Sequence, residues 1–178
     1  KFKKKIVIWG ASIGPFLKDK KSEELILSLK DSDLITVRER GSFDYLKSLG
    51  IEANVKLVAD PAFILPQSNI SIKNDDLDIN AGIQVLGFNI SPLLVKYNKN
   101  IITESVSFLN KIIIEKKMLV LLIPYVTQQE SFNNDYDFMN KIYENFKDTS
   151  AIQLISSKYN AMQMKYIISK CHIFIGAR

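Results

Sequence analysis

Polar and charged side chains follow several apolar runs of this sequence, at the points where the runs end. Ser12 lies between Gly10 and Gly14 just after the first run, Arg38 follows the second run directly, and Arg178 follows the last. In parallel α/β sheets, ligands bind at the carboxyl ends of the strands, where loops and helix N-termini gather. These positions are therefore the first candidates for a ligand site.

The two glycines, and an Asn-Asp pair that follows a later apolar run, also have structural interpretations. Gly10 and Gly14 suit a turn, and their spacing matches neither a dinucleotide fingerprint nor a P-loop. Asn134 and Asp135 suit the start of a helix, where a side-chain oxygen accepts from backbone N–H groups.

Arg38 is harder to explain as structure alone, because an always-charged guanidinium at a strand end needs an acidic partner or a wet cleft. A salt bridge to Glu39 or Asp44 would satisfy it. Asp60-Pro61 is typical of a turn. Both the binding and the structural interpretation of Arg38 stay open at this point.

Cysteine and histidine chemistry is largely excluded. Cys171 and His172 are adjacent at the start of a strand-like apolar run, so their side chains should face opposite sides and cannot pair as nucleophile and base. One cysteine and one histidine also cannot form the usual ligand set of a zinc site. Acid–base chemistry would have to come from carboxylates or from residues outside this chain.

Short apolar runs alternate with helical patterns along the whole chain. Because the runs show no polar alternation, they predict strands covered on both faces, hence parallel sheets in an α/β fold. The predicted strands are residues 5–9, 34–37, 55–59, 83–89, 118–123, 151–154 and 172–175. The predicted helices are residues 22–30 and 42–49, capped by Ser22 and Ser42, then 99–117, 134–146 and 160–170.

A polar segment at residues 67–82 interrupts the alternation and predicts a linker between two units. Residues 1–66 are interpreted as the C-terminal part of an N-terminal Rossmann-like domain. Residues 83–178 are interpreted as a C-terminal Rossmann-like domain cut off after Arg178. We therefore expect both units to be incomplete.

Charge, apolar runs and cysteine content bear on the expected partners and location of the protein. The formal net charge of +5 is modest, and its short lysine runs are typical of solvated faces, so no nucleic-acid partner is expected. The longest apolar run, residues 118–123, is far below the roughly 20 residues of a membrane span, so no transmembrane segment is expected. A single free cysteine is compatible with a reducing compartment, and we expect a cytoplasmic protein.

Six stretches, in order along nearly the whole chain, resemble the polysaccharide pyruvyl transferase family. They are WGASIGPF, DLITVRERGSFDYLKSLGI, KLVADPAFIL, LGFNISPLL, LLIPYV with NND shortly after, and YIISKCHIFIGAR. The most specific parts are the Arg-acid-x-x-Ser pattern that starts at Arg38, the Ala-Asp-Pro at residues 59–61, and the Gly-x-Arg that ends at Arg178.

The resemblance implies two Rossmann-like domains in a GT-B-like arrangement with the active site between them. It implies transfer of a pyruvyl group from phosphoenolpyruvate to two sugar hydroxyls, giving a cyclic ketal in cell-surface polysaccharide synthesis. No metal or organic cofactor is implied. The expected partners are phosphoenolpyruvate and a sugar or glycolipid acceptor, and a lipid-linked acceptor would bring the protein to a membrane surface. The oligomeric state stays open, with a homo-oligomer as one alternative.

The resemblance also assigns site residues. Arg38 and Arg178 match family arginines that would bind the carboxylate and phosphate of the donor through forked hydrogen bonds. Ser12, with the backbone at Gly10 and Gly14, would add neutral donors. The matching NND stretch adds Asn134 and Asp135 as substrate-binding residues.

No catalytic residue is assigned. The family motif continues past its arginine to a histidine suited to general-acid work, which we expect beyond Arg178, so this chain alone is expected to be inactive. Tyr125 occupies a position where many relatives carry histidine. Two rival functions remain: a GT-B glycosyltransferase that uses a nucleotide sugar, and a non-catalytic sugar- or phosphate-binding domain.

Overall fold

The chain is an α/β protein with two compact units, Lys1–Leu65 and Pro66–Arg178. A computed structural model describes residues 4–17, 19–68, 77, 79, 82–127 and 133–177. The described part contains seven strands and five α-helices, and all strand pairs are parallel. The predicted fold class, with two Rossmann-like parallel-sheet units, is confirmed.

The first unit is a three-stranded sheet with helices on one face. Its strands are β1 (Val7–Ala11), β2 (Leu34–Val37) and β3 (Val55–Leu57), in that spatial order. Helices α1 (Lys20–Lys30) and α2 (Arg40–Ser48) pack on the sheet over a common apolar core. The buried members of this core are Ile13, Leu29, Ile35, Val37, Leu46, Ile51 and Val55.

Both helices of the first unit begin before the predicted serine caps. α1 is capped by Asp19, whose carboxylate accepts from the backbone N–H of Ser22 at 2.8 Å. α2 already begins at Arg40, and the Ser42 hydroxyl instead accepts from the Ile13 backbone N–H at 2.8 Å. The two cap assignments were therefore wrong, and Ser42 ties the loop after β1 to α2.

The second unit is a four-stranded sheet with helices on both faces. Its strands pair in the order β6-β5-β4-β7. Helices α3 and α4 cover one face and α5 covers the other. The element bounds are β4 Val85–Asn89, α3 Ile101–Lys116, β5 Leu119–Leu122, α4 Asp135–Tyr143, β6 Ile152–Leu154, α5 Ala161–Ser169 and β7 Ile173–Gly176.

The strand order of the second unit fixes where a ligand crevice can form. The chain runs outward from β4 through β5 to β6, then returns to place β7 on the other side of β4. Crossovers that leave in opposite directions open a crevice at the carboxyl ends of the two strands where the order reverses. In this unit, that point lies between β4 and β7, where Asn89 pairs with Gly176.

The predicted strands all occur, with ends displaced by at most two residues. Much of the predicted linker 67–82 lies outside the described residues. Of its described residues, Ser68 donates its backbone N–H to the Met162 carbonyl at 3.1 Å, and Leu77 and Ile79 pack against the core under α5. No helix among the described residues is long and apolar enough to span a membrane.

Candidate functional site

Arg38 lies at the carboxyl end of β2 and is held by two side chains. Its Nη1 donates to Asp60 Oδ2 at 2.9 Å, and its Nε donates to Ser12 Oγ at 3.1 Å. The Arg38 side chain remains 41% exposed, and Nη2 makes no hydrogen bond to any described residue. The acidic partner in closest contact is therefore Asp60, while Glu39 lies 3.8 Å from Nε and Asp44 pairs with Arg40 instead.

Ser12 joins Arg38 to a second carboxylate. Its hydroxyl accepts from Arg38 and donates to Glu39 Oε1 at 2.6 Å. The loop that carries Ser12 is fixed through the Ile13–Ser42 hydrogen bond. Within the first unit, the structure thus brings together Ser12 and Arg38, two of the predicted site residues.

Gly10 lies inside β1, because the strand carries one more residue than β2 between the pairs Ile8–Ile35 and Ala11–Val37. Its φ of +55° and a close approach by Pro61 both require glycine: an added Cβ would lie 2.6 Å from Pro61 Cγ. The Gly10 backbone N–H donates to Thr36 Oγ1 at 2.7 Å. This N–H group is therefore already bonded within the protein, whereas the resemblance suggested that it would donate to the ligand.

Gly14 is packed against an aromatic ring. Its φ is +78°, and a Cβ there would overlap the Tyr45 ring. The Tyr45 hydroxyl in turn accepts from the Phe16 backbone N–H at 3.0 Å. Gly14 therefore has a packing role in shaping the loop after β1.

At the crevice of the second unit, Asn89 is almost fully buried at the carboxyl end of β4, with 2% of its surface exposed. Its Nδ2 donates to the Ile123 carbonyl at 2.9 Å and to Asp135 Oδ2 at 3.5 Å. Its Oδ1 is buried and accepts no hydrogen bond from the described residues. The amide thus ties β4 to β5 and to the start of α4.

The Asn134-Asp135 pair begins α4, as its structural interpretation proposed. The Asn134 side chain caps the helix by accepting from the Asp137 backbone N–H at 3.2 Å. Asp135 is fully buried, and its Oδ2 accepts from the backbone N–H groups of Tyr125 and Val126 at 3.3 and 3.1 Å. The observed contacts of this pair therefore hold the turn after β5.

Tyr125 and Cys171 are kept protonated by burial. Burial, with a smaller contribution from Cys171, raises the pKa of Tyr125 to about 12, and the ring packs edge-on against Phe174. Burial also raises the pKa of Cys171 to about 11. His172 Nδ1 accepts from the Val85 backbone N–H at 3.1 Å. A thiolate–imidazole pair is thus disfavoured, although both residues lie just before β7 and not on it.

Two residues at the strand ends were not assigned to the site by sequence reasoning. Asp60 follows β3 at the same edge as Arg38 and was interpreted as a turn residue because a proline follows it, and it does also begin the turn. Asn89 is the only polar residue of β4, a strand that is otherwise apolar or glycine. Arg178, the second predicted arginine, lies outside the described residues, as does any contact it makes.

The described residues offer no cluster of three or more His, Cys, Asp or Glu side chains that could hold a metal ion. What the described edge of the first unit does offer is a guanidinium fixed by oxygen acceptors. Such an arrangement can bind an oxyanion of a ligand through charge-assisted hydrogen bonds.

Parallel α/β units with polar residues at the carboxyl ends of their strands define a Rossmann-like class of protein. Within that class, the family model described as polysaccharide pyruvyl transferase matches residues 1–178, and the chain belongs to this family. The family resemblance predicted from the sequence is thereby confirmed. No curated protein and no solved structure gives a significant match to the chain.

Proposed function

We propose that this polysaccharide pyruvyl transferase uses phosphoenolpyruvate as its donor and forms a cyclic ketal across two hydroxyls of a sugar. The observation that carries the proposal is the Arg38 guanidinium, which is tethered at Nε and Nη1 and leaves Nη2 without a hydrogen bond to any described residue. A guanidinium with open donors suits the carboxylate or the phosphate of this donor.

The reaction balances without an added oxidant or reductant. Protonation of the donor's methylene carbon makes its C2 electrophilic, a first sugar hydroxyl adds there, and a second hydroxyl displaces inorganic phosphate as the C–O bond breaks. Two C–O bonds and one C–H bond form, while the C=C π bond and the bond from C2 to the phosphate oxygen are lost. Of the two hydroxyl protons, one replaces the proton taken up by the methylene carbon and the other leaves with inorganic phosphate. Arg38 would hold the anionic donor, while the proton donor stays unassigned.

The charge around Arg38 sets a requirement on the rest of the site. Asp60 and Glu39 together outweigh the single positive charge of Arg38, so this cluster alone cannot neutralise a multiply charged donor. A second cation is needed, and Arg178 is the residue that the family resemblance suggests. The GT-B-like arrangement, a reaction free of organic cofactors and metal, a cytoplasmic location, and a sugar or glycolipid acceptor belong to the same proposal.

Donor identity can be tested by calorimetric titration of the chain with phosphoenolpyruvate and, separately, with nucleotide sugars. We expect binding of phosphoenolpyruvate that weakens as inorganic phosphate is added, and no binding of nucleotide sugars. The crevice between β4 and β7 is the specific feature that would favour a nucleotide ligand instead. Binding of nucleotide sugars alone would therefore replace the proposal with the glycosyltransferase function, and binding of neither would refute Arg38 as part of a donor site.

A further inference from the structure

We propose that Asp60 is the positioning residue that fixes the Arg38 guanidinium in the orientation that binds the donor anion. The inference rests on the proposed function, because Asp60 is assigned its role through Arg38. Asp60 lies in the Ala-Asp-Pro stretch that carries part of the family resemblance, but the resemblance gives it no role. The positioning role also predicts a change in donor affinity opposite in sign to that of a simple charge effect.

Both oxygens of the Asp60 carboxylate are engaged. Oδ2 accepts from Arg38 Nη1, and Oδ1 accepts from the Ala62 backbone N–H at 2.9 Å. The second bond caps a short 3₁₀ helix, Pro61–Ile64, with proline at its first position. Because proline fixes its backbone φ and the cap fixes the carboxylate, the acceptor that faces Arg38 has a defined direction.

The start of this 3₁₀ helix is itself anchored to the sheet. Pro61 lies so close to Gly10 that no Cβ fits between them. Gly10 is bound to Thr36 of β2, whose hydroxyl donates to the Ile8 carbonyl of β1 at 3.2 Å. Asp60 is therefore connected through Pro61 and Gly10 to the two strands that end beside Arg38.

Arg38 is thus tethered at two atoms from two different loops. Asp60 holds Nη1 from the loop after β3, while Ser12 holds Nε from the loop after β1. With both acceptors in place, the plane of the guanidinium is determined. Loss of Asp60 would leave Ser12 as the remaining described hydrogen-bond acceptor, and the guanidinium could then rotate about that single bond.

A purely electrostatic role for Asp60 makes the opposite prediction. A carboxylate beside an anion site repels the anion, so its neutralisation would tighten donor binding. If Asp60 positions Arg38, neutralisation weakens donor binding despite the removed repulsion. Asp44 provides the matched control, because it carries the same charge in the same unit but pairs with Arg40 at 3.3 Å.

The test compares Asp60→Asn with Asp44→Asn, both measured by calorimetric titration of the chain with phosphoenolpyruvate. We expect the Kd to rise about tenfold in Asp60→Asn, as for loss of one charge-assisted bond, and to stay the same or fall slightly in Asp44→Asn. An unchanged or lower Kd in Asp60→Asn, while the wild type binds normally, would overturn the role of Asp60 and leave the proposed function standing.

A second measurement does not depend on the donor. The sequence holds three arginines, Arg38, Arg40 and Arg178, so their side-chain signals can be assigned in ¹⁵N spectra with single variants. We expect hydrogen exchange at Arg38 Nη1, the atom that donates to Asp60, to be several-fold faster in Asp60→Asn and unchanged in Asp44→Asn. Equal exchange at Arg38 Nη1 in the wild type and Asp60→Asn would overturn the proposal even if phosphoenolpyruvate proved not to bind.

Discussion

Gly10 and Pro61 meet so closely that a Cβ on residue 10 would lie 2.6 Å from Cγ of the proline ring. The contact joins the end of β1 to the loop after β3, and the residue before the proline is Asp60, which binds Arg38. A glycine that looks like an ordinary turn residue in the sequence is therefore part of the support for the candidate anion site.

Gly10→Ala should destabilise the first unit. The new methyl group clashes with a ring that cannot rotate away, and a φ of +55° strains any residue with a Cβ. We expect the free energy of unfolding to fall by roughly 1–3 kcal/mol in urea denaturation. The control is Gly41→Ala in α2, where the added Cβ would meet no atom within 4 Å apart from the adjacent residues and the backbone of its own helix, and alanine should stabilise the helix slightly. Equal effects of the two substitutions would contradict the close approach.

Arg38→Ala should weaken donor binding. The lost charge-assisted hydrogen bonds correspond to an increase of about tenfold to a hundredfold in the Kd for phosphoenolpyruvate, measured by calorimetric titration. Arg40→Ala is the control, because Arg40 carries the same charge two residues away but pairs with Asp44. If Arg38→Ala and Arg40→Ala show the same Kd for phosphoenolpyruvate, the general positive charge accounts for binding. A direct contact of Arg38 with the donor would then be contradicted.

Asp135→Ala should destabilise the second unit. The buried carboxylate accepts from the backbone N–H groups of Tyr125 and Val126, and these donors would be left without their acceptor. We expect a loss of roughly 2–3 kcal/mol in the free energy of unfolding. Asp137→Ala removes the same charge from the same helix turn at an exposed position and should cost less than about 1 kcal/mol. A similar loss in both variants would show that helix-end charge, and not the turn after β5, dominates.

The thiol of Cys171 should react slowly in the folded chain. Its pKa rises from 9.0 to about 11 because of burial, so at pH 8 the folded chain holds about a hundredfold less thiolate than an unfolded one. The rate of iodoacetamide labelling, followed by mass spectrometry, should show this difference between native and urea-unfolded protein. Because the folded state retains the proton, the thiol stabilises the fold below about pH 9 and loses this contribution as the pH rises through 11. Equal labelling rates in the native and unfolded chain would contradict the burial of Cys171.

The sequence predicted the β/α alternation well because buried parallel strands leave a simple signature. The runs at Leu34–Val37 and Leu119–Leu122 are apolar enough to identify without any knowledge of their neighbours. The ends of the strands were predicted less accurately because they depend on side-chain contacts between elements. β1, for instance, extends through Gly10 to Ala11 only because an extra residue is accommodated opposite β2.

The candidate site was only partly accessible to sequence reasoning. Arg38 and Ser12 could be placed at one edge because both follow predicted parallel strands. The partnership of Arg38 with Asp60 could not be predicted, because Glu39 and Asp44 are nearer in the sequence. In the structure, Asp44 pairs with Arg40 and Glu39 accepts from Ser12, while Asp60 is brought to Arg38 from the loop after β3. The inward direction of Asp135 likewise depends on backbone donors of the turn after β5, which no sequence pattern specifies.

In the proposed reaction, the pyruvyl group of phosphoenolpyruvate becomes a sugar ketal. The most direct measurement uses phosphoenolpyruvate labelled with ¹³C at C2, incubated with the protein and with candidate glycoside or glycolipid acceptors, and followed by NMR. We expect a ketal ¹³C resonance that appears only with an acceptor, together with one equivalent of inorganic phosphate. Consumption of nucleotide sugars with no change in the labelled donor would contradict it.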